Sequence, residues 1–274
     1  MFLCRSTASE HDGGYTRHRI LLEGVVQGVG FRPFVKRLAD RFQLPGITFN
    51  TASGLVIEID SAGRQEAANF VDAVRAEAPA ASKVDRCTVE EVVQELGYRD
   101  FRIIASSSRD RHFTLISADL AICAMCAAEI SDPANRRFQY AFTNCTNCGP
   151  RYSITESTPY DRASTTMKRF QMCPDCALEY SDPSNRRYHA EPIACAVCGP
   201  RLSMELSDAI AALESGRIVA IKGLGGFQLA CDAFRSDAVD ELRIRKRRSR
   251  KPFAVMMRDL ATVERFCVTG AAER

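Results

Sequence analysis

An α+β multidomain protein is expected from three features of this 274-residue chain. Apolar residues between 19 and 105 switch between strand and helix periods in the order βαββαβ, with a short edge strand, which is the ferredoxin-like arrangement. Eight of the twelve cysteines fall in a duplicated Cys-x2-Cys pattern, the mark of a tandem Cys4 zinc-finger region. A glycine-punctuated α/β pattern then opens near residue 204. No run approaches the roughly eighteen apolar residues of a membrane span. The net charge of +3 is too small to argue for a nucleic-acid partner.

Residues 1–18 are polar and small, without the apolar core of a leader, and should form a flexible extension. Residues 19–26 read as a strand entering a glycine-rich turn. Residues 33–43 carry Phe34, Val35, Leu38 and Phe42 at helical spacing, and Pro33 suits a first helical turn. Residues 47–50 and 55–60 form a hairpin through 51–54, residues 65–77 a second helix, and 84–92 with 101–104 the closing strands.

Cys123, Cys126, Cys145 and Cys148 recur fifty residues on as Cys173, Cys176, Cys195 and Cys198. EISDPANRR in one copy faces EYSDPSNRR in the other, and Gly-Pro-Arg follows each last cysteine. A two-residue gap lets one turn aim both thiolates at a tetrahedral ion, and two such knuckles close a site with no open position, so a structural role is expected. Disulfides and redox pairs fit less well, because no signal segment precedes the chain and no strand-helix context surrounds each pair. Two zinc ions are expected, one per repeat, although the spacing also permits pairing across repeats. His189 is not expected to be a ligand, since its counterpart is Gln139. Four thiolates around one divalent ion carry a formal charge of about −2. Arg136, Arg137, Arg151, Arg186, Arg187 and Arg201 are either donors to those centres or a solvated basic face. The isolated Cys4, Cys87, Cys231 and Cys267 read as small hydrophobes, dispensable for chemistry.

Gln27, Gly28, Val29, Gly30 and Phe31 lead into Arg32 at the first strand-to-helix turn. Two glycines let successive N–H groups converge, and the helix start adds its positive dipole end, which makes a phosphate cradle. It is neither a Walker loop nor a dinucleotide fingerprint. GVVQGVGFR, followed by Asn50 and Gly54 in FNTASG, resembles the acylphosphatase signature. That resemblance implies that Arg32 binds the acyl phosphate and Asn50 orients the attacking water; the residues alone also allow Asn50 to be a turn-former.

Past the cysteines, residues 208–215 read as a helix, 217–223 as a buried strand, 236–246 as a helix and 253–257 as a strand, with seven basic residues among positions 243–251. KGLGGFQLACDA with KRRSRKPFAVM is similar to the YrdC-like nucleotide-binding domain of threonylcarbamoyl-AMP synthases. The resemblance implies nucleotide-phosphate contacts at Lys222, Lys246, Arg248 and Lys251.

The order of a ferredoxin-like acylphosphatase domain, a tandem Cys4 region and a partial α/β YrdC-like domain resembles the hydrogenase maturation carbamoyltransferase family, HypF. FTNCTNCGPRYSI, PYDR, TTM and RRYHAEPIACAVCGPR read like it, over roughly residues 19–267. The implied division is 19–107, 108–203 and 204–274. The implied relay hydrolyses carbamoyl phosphate, adenylates the carbamate with ATP and Mg, and transfers the carbamoyl group to the C-terminal cysteine of a partner maturation protein, toward a cyanide ligand. Family members continue beyond the nucleotide domain, so the chain is expected to be an N-terminal fragment, cytoplasmic, with residues 204–274 its least stable part. Two other readings are a stand-alone acylphosphatase with a zinc docking module, and a zinc-ribbon nucleic-acid binder using 243–251 and the NRR segments.

Overall fold

In the computed structural model, which describes residues 16–92, 97–106 and 115–273, a five-stranded sheet comes first. Strand β1 (Thr16–Val25) leads to helix α1 (Phe31–Phe42), the hairpin β2 (Gly46–Asn50) and β3 (Leu55–Ser61), helix α2 (Arg64–Ala76), and strands β4 (Lys83–Val92) and β5 (Phe101–Ile103). The order is β4-β1-β3-β2-β5, antiparallel except for the parallel β2–β5 pair. Leu55, Ile57 and Ile59 point to one face because strand side chains alternate. There they meet Ile20 and Leu22, Val35 and Leu38 of α1, and Phe70 and Val74 of α2. Each such side chain contributes about 1.5–3 kcal/mol by leaving water.

The other face of β3 buries charge instead. Arg17 Nε pairs with Asp60 Oδ1 at 2.7 Å, Arg19 with Glu58 at 2.6 Å, and the Tyr98 hydroxyl donates to Glu58 at 2.5 Å. These pairs correct the extent of the extension: the strand begins at Thr16, because the register sets Arg17 opposite Asp60 and a buried ion pair needs both backbones fixed. Residues 1–15, Cys4 among them, lie outside the described residues.

In the cysteine region, helices α3 (Ala124–Ser131) and α4 (Pro174–Ser181) start directly after Cys123 and Cys173. A helical context was not expected there. A Cys-x2-Cys pair at the start of a helix places both sulfurs on one side of its first turn, which serves the metal as well as a loop would. Residues 152–170, between the repeats, run through three short 3-10 turns. By its contacts the chain divides into residues 1–201 and 202–274, so the sheet and the cysteine region share one unit.

The second unit contains α5 (Leu206–Glu214), the hairpin β6 (Val219–Lys222) and β7 (Phe227–Ala230), α6 (Ser236–Lys246) and α7 (Leu260–Phe266). Two expectations fail here. The strand near 217–223 is mostly exposed rather than buried, and 253–257 forms no strand. Strands exist by pairing, and among the described residues this unit's sheet holds only β6 and β7. Its buried apolar side chains are Ala212, Ala238 and Leu242, whereas Leu224, Phe227, Phe234 and Met256 are largely exposed. No helix among the described residues is long and apolar enough to cross a membrane.

Candidate functional site

Between β1 and α1 the chain turns through Gly28 at φ 72° and Gly30 at φ 75°, left-handed conformations that cost any residue with a Cβ. Gly30 caps α1, so the first helical N–H groups, which have no intrahelical partners, open toward the turn at the positive end of the dipole. Val29 and Phe31 anchor the turn in the core. Arg32 in the first turn of α1 and Asn50 at the end of β2 both reach this place, donating to the Tyr160 carbonyl at 3.3 and 3.0 Å.

The Gln27 side chain adds contacts of its own to the turn. Its Nε2 donates to the Thr51 and Gly54 carbonyls at 2.7 and 2.9 Å, while its Oε1 accepts from the Tyr160 N–H at 2.8 Å. That side chain ties the hairpin turn to Tyr160. Asn50 is not the turn-former either, because Thr51 Oγ1 accepts from the N–H groups of Ser53 and Gly54. Among the described residues, Asn50 Oδ1 is buried without a hydrogen-bond partner.

Arg32 is buried, with Nη1 2.6 Å from Asp161 and Nη2 2.7 Å from Glu191. Glu191 is held in turn by the Tyr180 hydroxyl and the Arg162 N–H, each at 3.0 Å. A narrow cleft of about 20 Å³ lies here, lined by Gly28, Gly30, Arg32, Asn50, Tyr160 and His189 among others. His189 packs against the rings of Tyr180 and Tyr188 at 4.9 and 4.6 Å. Burial, helped by the nearby Arg32 charge, pushes its imidazole down to about 4, so it is neutral at physiological pH. Sequence reasoning missed Tyr160, Asp161 and Glu191 as neighbours of Arg32. The available signal was divergence within the duplication, since Glu191 stands where the first repeat has Ala141.

The cysteines gather within each repeat: Cys123, Cys126, Cys145 and Cys148 in one cluster, and Cys173, Cys176, Cys195 and Cys198 in the other. Zinc–sulfur bonds of about 2.3 Å in a tetrahedron put sulfurs about 3.8 Å apart. Cys123–Cys145 and Cys145–Cys148 are 3.8 and 3.7 Å apart, and Cys173–Cys195, Cys195–Cys198 and Cys176–Cys198 are 3.7, 3.8 and 3.6 Å. Both clusters therefore fit a zinc ion, one per repeat, and none of these distances is a disulfide.

The duplicated Arg-Arg pair of each copy serves the other copy. Arg136 Nη2 lies 3.2 Å from Cys176 Sγ and 3.4 Å from Cys173 Sγ, and Arg186 Nη1 lies 3.1 Å from Cys126 Sγ. Arg137 pairs with Glu179 and Arg187 with Glu129, while their Nε groups donate to the Ala194 and Asn144 carbonyls, each at 3.0 Å. Burial raises the Glu129 carboxyl, but the hydrogen bonds from Arg187 and Arg186 outweigh it and hold it at about 2. These four arginines are thus donors to the anionic centres, Arg137 and Arg187 buried and Arg136 still exposed to solvent. Arg151 and Arg201 depart from that duty. Arg151 is buried, donating to the Gly28, Cys145 and Cys148 carbonyls, whereas Arg201 is exposed and reaches the Val197 carbonyl at 3.5 Å.

In the second unit the four nucleotide candidates are spread over β6, the end of α6 and the segment after it. Lys222 Nζ stands 5.5 Å from the Phe227 ring, and Arg248 lies 5.3 Å from that of Phe253 and donates to the Pro252 carbonyl at 3.1 Å. Lys246 and Lys251 are exposed.

Residues 18–103 match the acylphosphatase family model, residues 122–155 and 172–205 the HypF finger model, and residues 211–274 the Sua5, YciO and YrdC model, described as telomere recombination. The chain is 50% identical over 268 residues to carbamoyltransferase HypF of Rhizobium leguminosarum bv. viciae, covering 98% of this chain and 35% of that protein. It is 49% identical over 271 residues to carbamoyltransferase HypF2 of Cupriavidus necator, covering 94% and 33%. A crystal structure of full-length HypF in its phosphate- and nucleotide-bound form superposes with a TM-score of 0.85 at 45% identity, over 94% of this chain and 35% of that one. With both finger repeats, the preceding acylphosphatase fold and the following YrdC-type segment all matched in order, the chain belongs to the HypF carbamoyltransferase family, spanning about a third of the length of the curated relatives it matches.

Proposed function

We propose that residues 19–203 carry the carbamoyl phosphate-hydrolysing step of a carbamoyltransferase of nickel–iron hydrogenase maturation. The observation that carries this reading is the meeting of Arg32 and Asn50 on the Tyr160 carbonyl beside the glycine cradle, with Asn50 Oδ1 buried and unpartnered among the described residues. Of the five N–H donors of Arg32, three are committed to Asp161, Tyr160 and Glu191, which leaves Nε–H and one Nη1–H for phosphate. Those groups and the cradle N–H groups hold the phosphoryl oxygens. Asn50 Oδ1 accepts from a water whose oxygen attacks phosphorus. The bond from phosphorus to the carbamoyl oxygen breaks, carbamate leaves with the electron pair, and the water protons stay on phosphate, so carbamoyl phosphate dianion and water become carbamate and dihydrogen phosphate.

Carbamate is then the substrate for adenylation by ATP with Mg, with Lys222, Lys246, Arg248 and Lys251 as the phosphate-contacting residues of the YrdC-like segment, residues 204–274. The acceptor is the C-terminal cysteine of a partner maturation protein. The phosphate and nucleotide in the related full-length HypF structure support this assignment. Zinc in the two clusters supplies structural cross-links, and eight reduced thiolates support a cytoplasmic location. Contacts from Tyr160, Asp161 and Glu191 to Arg32 favour this reading over a stand-alone acylphosphatase whose zinc region only docks partners.

Arg32→Ala should lose roughly two to four orders of magnitude in phosphate release from carbamoyl phosphate, because the main charge-assisted phosphate contact is gone. Phosphate release at the unmodified rate removes the assignment.

A further inference from the structure

Tyr160 stands in the segment between the two finger repeats, yet it is fastened to the glycine cradle from three sides. Its N–H donates to Gln27, and its carbonyl accepts from Asn50 and Arg32. Its ring lies beside the cradle, with Cδ1 and Cε1 3.6 Å from the position a Cβ on Gly28 would take. The side chain is 3% exposed and lines the cleft that Arg32 and Asn50 line. Among the described residues its hydroxyl has no hydrogen-bond partner, although every other polar atom of Tyr160 has one. A ring needed only for packing would be served by phenylalanine, without the cost of burying an unpaired hydroxyl.

We infer that Tyr160 is a substrate-binding residue of the acyl phosphate site, its hydroxyl donating a hydrogen bond to an oxygen of the bound acyl phosphate. The inference rests on the hydrolytic reading above and deepens it: the finger region supplies part of the substrate pocket and not merely a scaffold. The ligand chemistry is that of a small phosphorylated anion. The Arg151 and Arg32 charges act on the hydroxyl, opposed by the Glu191 and Asp119 carboxylates. Burial raises the ionisation of the phenol above the ordinary tyrosine range, so the group is a protonated donor at neutral pH. Gly28 is required by its φ of 72°, and a Cβ there would stand in ordinary contact with the Tyr160 ring at 3.6 Å.

The test uses the full, zinc-loaded chain with Tyr160→Phe, which removes the hydroxyl and keeps the ring, and inorganic phosphate as a competitive probe. The inhibition constant for phosphate and the KM for carbamoyl phosphate should both rise roughly tenfold, the loss of one hydrogen bond to a charged ligand, with a smaller change in kcat. Zinc content and melting temperature should be unchanged or raised. An unchanged phosphate inhibition constant overturns the inference, and so does a lowered melting temperature, which would make the hydroxyl structural. Arg32→Ala in parallel separates the two levels. Loss of turnover there with wild-type behaviour of Tyr160→Phe removes only this inference, whereas full turnover by Arg32→Ala removes the hydrolytic reading and the inference with it.

Discussion

The two finger repeats have the same ligand spacing, the same short helix after the first pair and the same Glu and Arg-Arg positions, Glu129 with Arg136 and Arg137 against Glu179 with Arg186 and Arg187. They part where Gln139 faces His189, Ala141 faces Glu191 and Thr146 faces Ala196. Positions kept in both copies build the metal centres. Positions unique to one copy meet the cradle: His189 and Glu191 from the second, Thr146 from the first, set against Gly30. Arg151 and Arg201 carry the lesson further. They are the same residue after the same Gly-Pro, yet one is buried against the Gly28 carbonyl and the other is exposed. Residue type sets what a side chain can do, and its neighbours set what it does.

The harshest way to break this comparison is to remove the metal. Structural zinc contributes roughly 10–16 kcal/mol in finger peptides, so chelation should unfold residues 123–201. Because each repeat lends its arginines to the other, the two sites should be lost together, as followed by zinc release and hydrogen exchange. In the protein without substitutions, one repeat surviving intact after the other has lost its ion would contradict the exchange of arginines.

A finer test separates the copies. Arg187→Met should weaken zinc at the first cluster, and Arg137→Met at the second, by roughly 10–100-fold, the usual effect of losing a residue that supports metal ligands. Thiol alkylation mapped by mass spectrometry reads this directly. Arg187→Met should expose Cys126 and Cys145 to reagent before Cys176 and Cys195. The uncrossed pattern would refute the assignment.

The smallest effect sharpens the contrast between His189 and Gln139. The folded-state value of His189 is about 4, against about 6.5 unfolded, so between these values the unfolded chain binds the extra proton. Stability should fall as pH drops from 6.5 toward 4, by about 2 kcal/mol after allowing for partial solvent access. His189→Gln, which copies the first repeat, should flatten that part of the curve in denaturant titrations. An equal slope in both proteins would mean that His189 is solvated in the folded state.

Much of the fold was legible because its signals are local. Ile57 and Ile59 alternate with Glu58 and Asp60, Phe31, Val35 and Leu38 recur at helical spacing, and the turns carry glycine. The segment 253–257 shows the limit of that logic, since apolar residues permit a strand but only a neighbouring strand makes one. Cys87, half-buried beside the sheet's core, and Cys267, exposed, stay apart from both clusters, as their isolation in the sequence suggests.

By itself the sequence determined the ferredoxin-like unit, the eight metal-ligand cysteines, and the pair Arg32 and Asn50 beside a glycine turn. Each of these depends on spacing over a few residues or on an internal copy. Tertiary structure alone decided that the clusters close within repeats and that the arginines cross between them. It alone decided, too, that Asp161 and Glu191, 129 and 159 residues away, face Arg32. Charge and hydrogen-bond partners are chosen by distance in space, and a buried guanidinium takes whichever carboxylates the packed chain brings within about 3 Å.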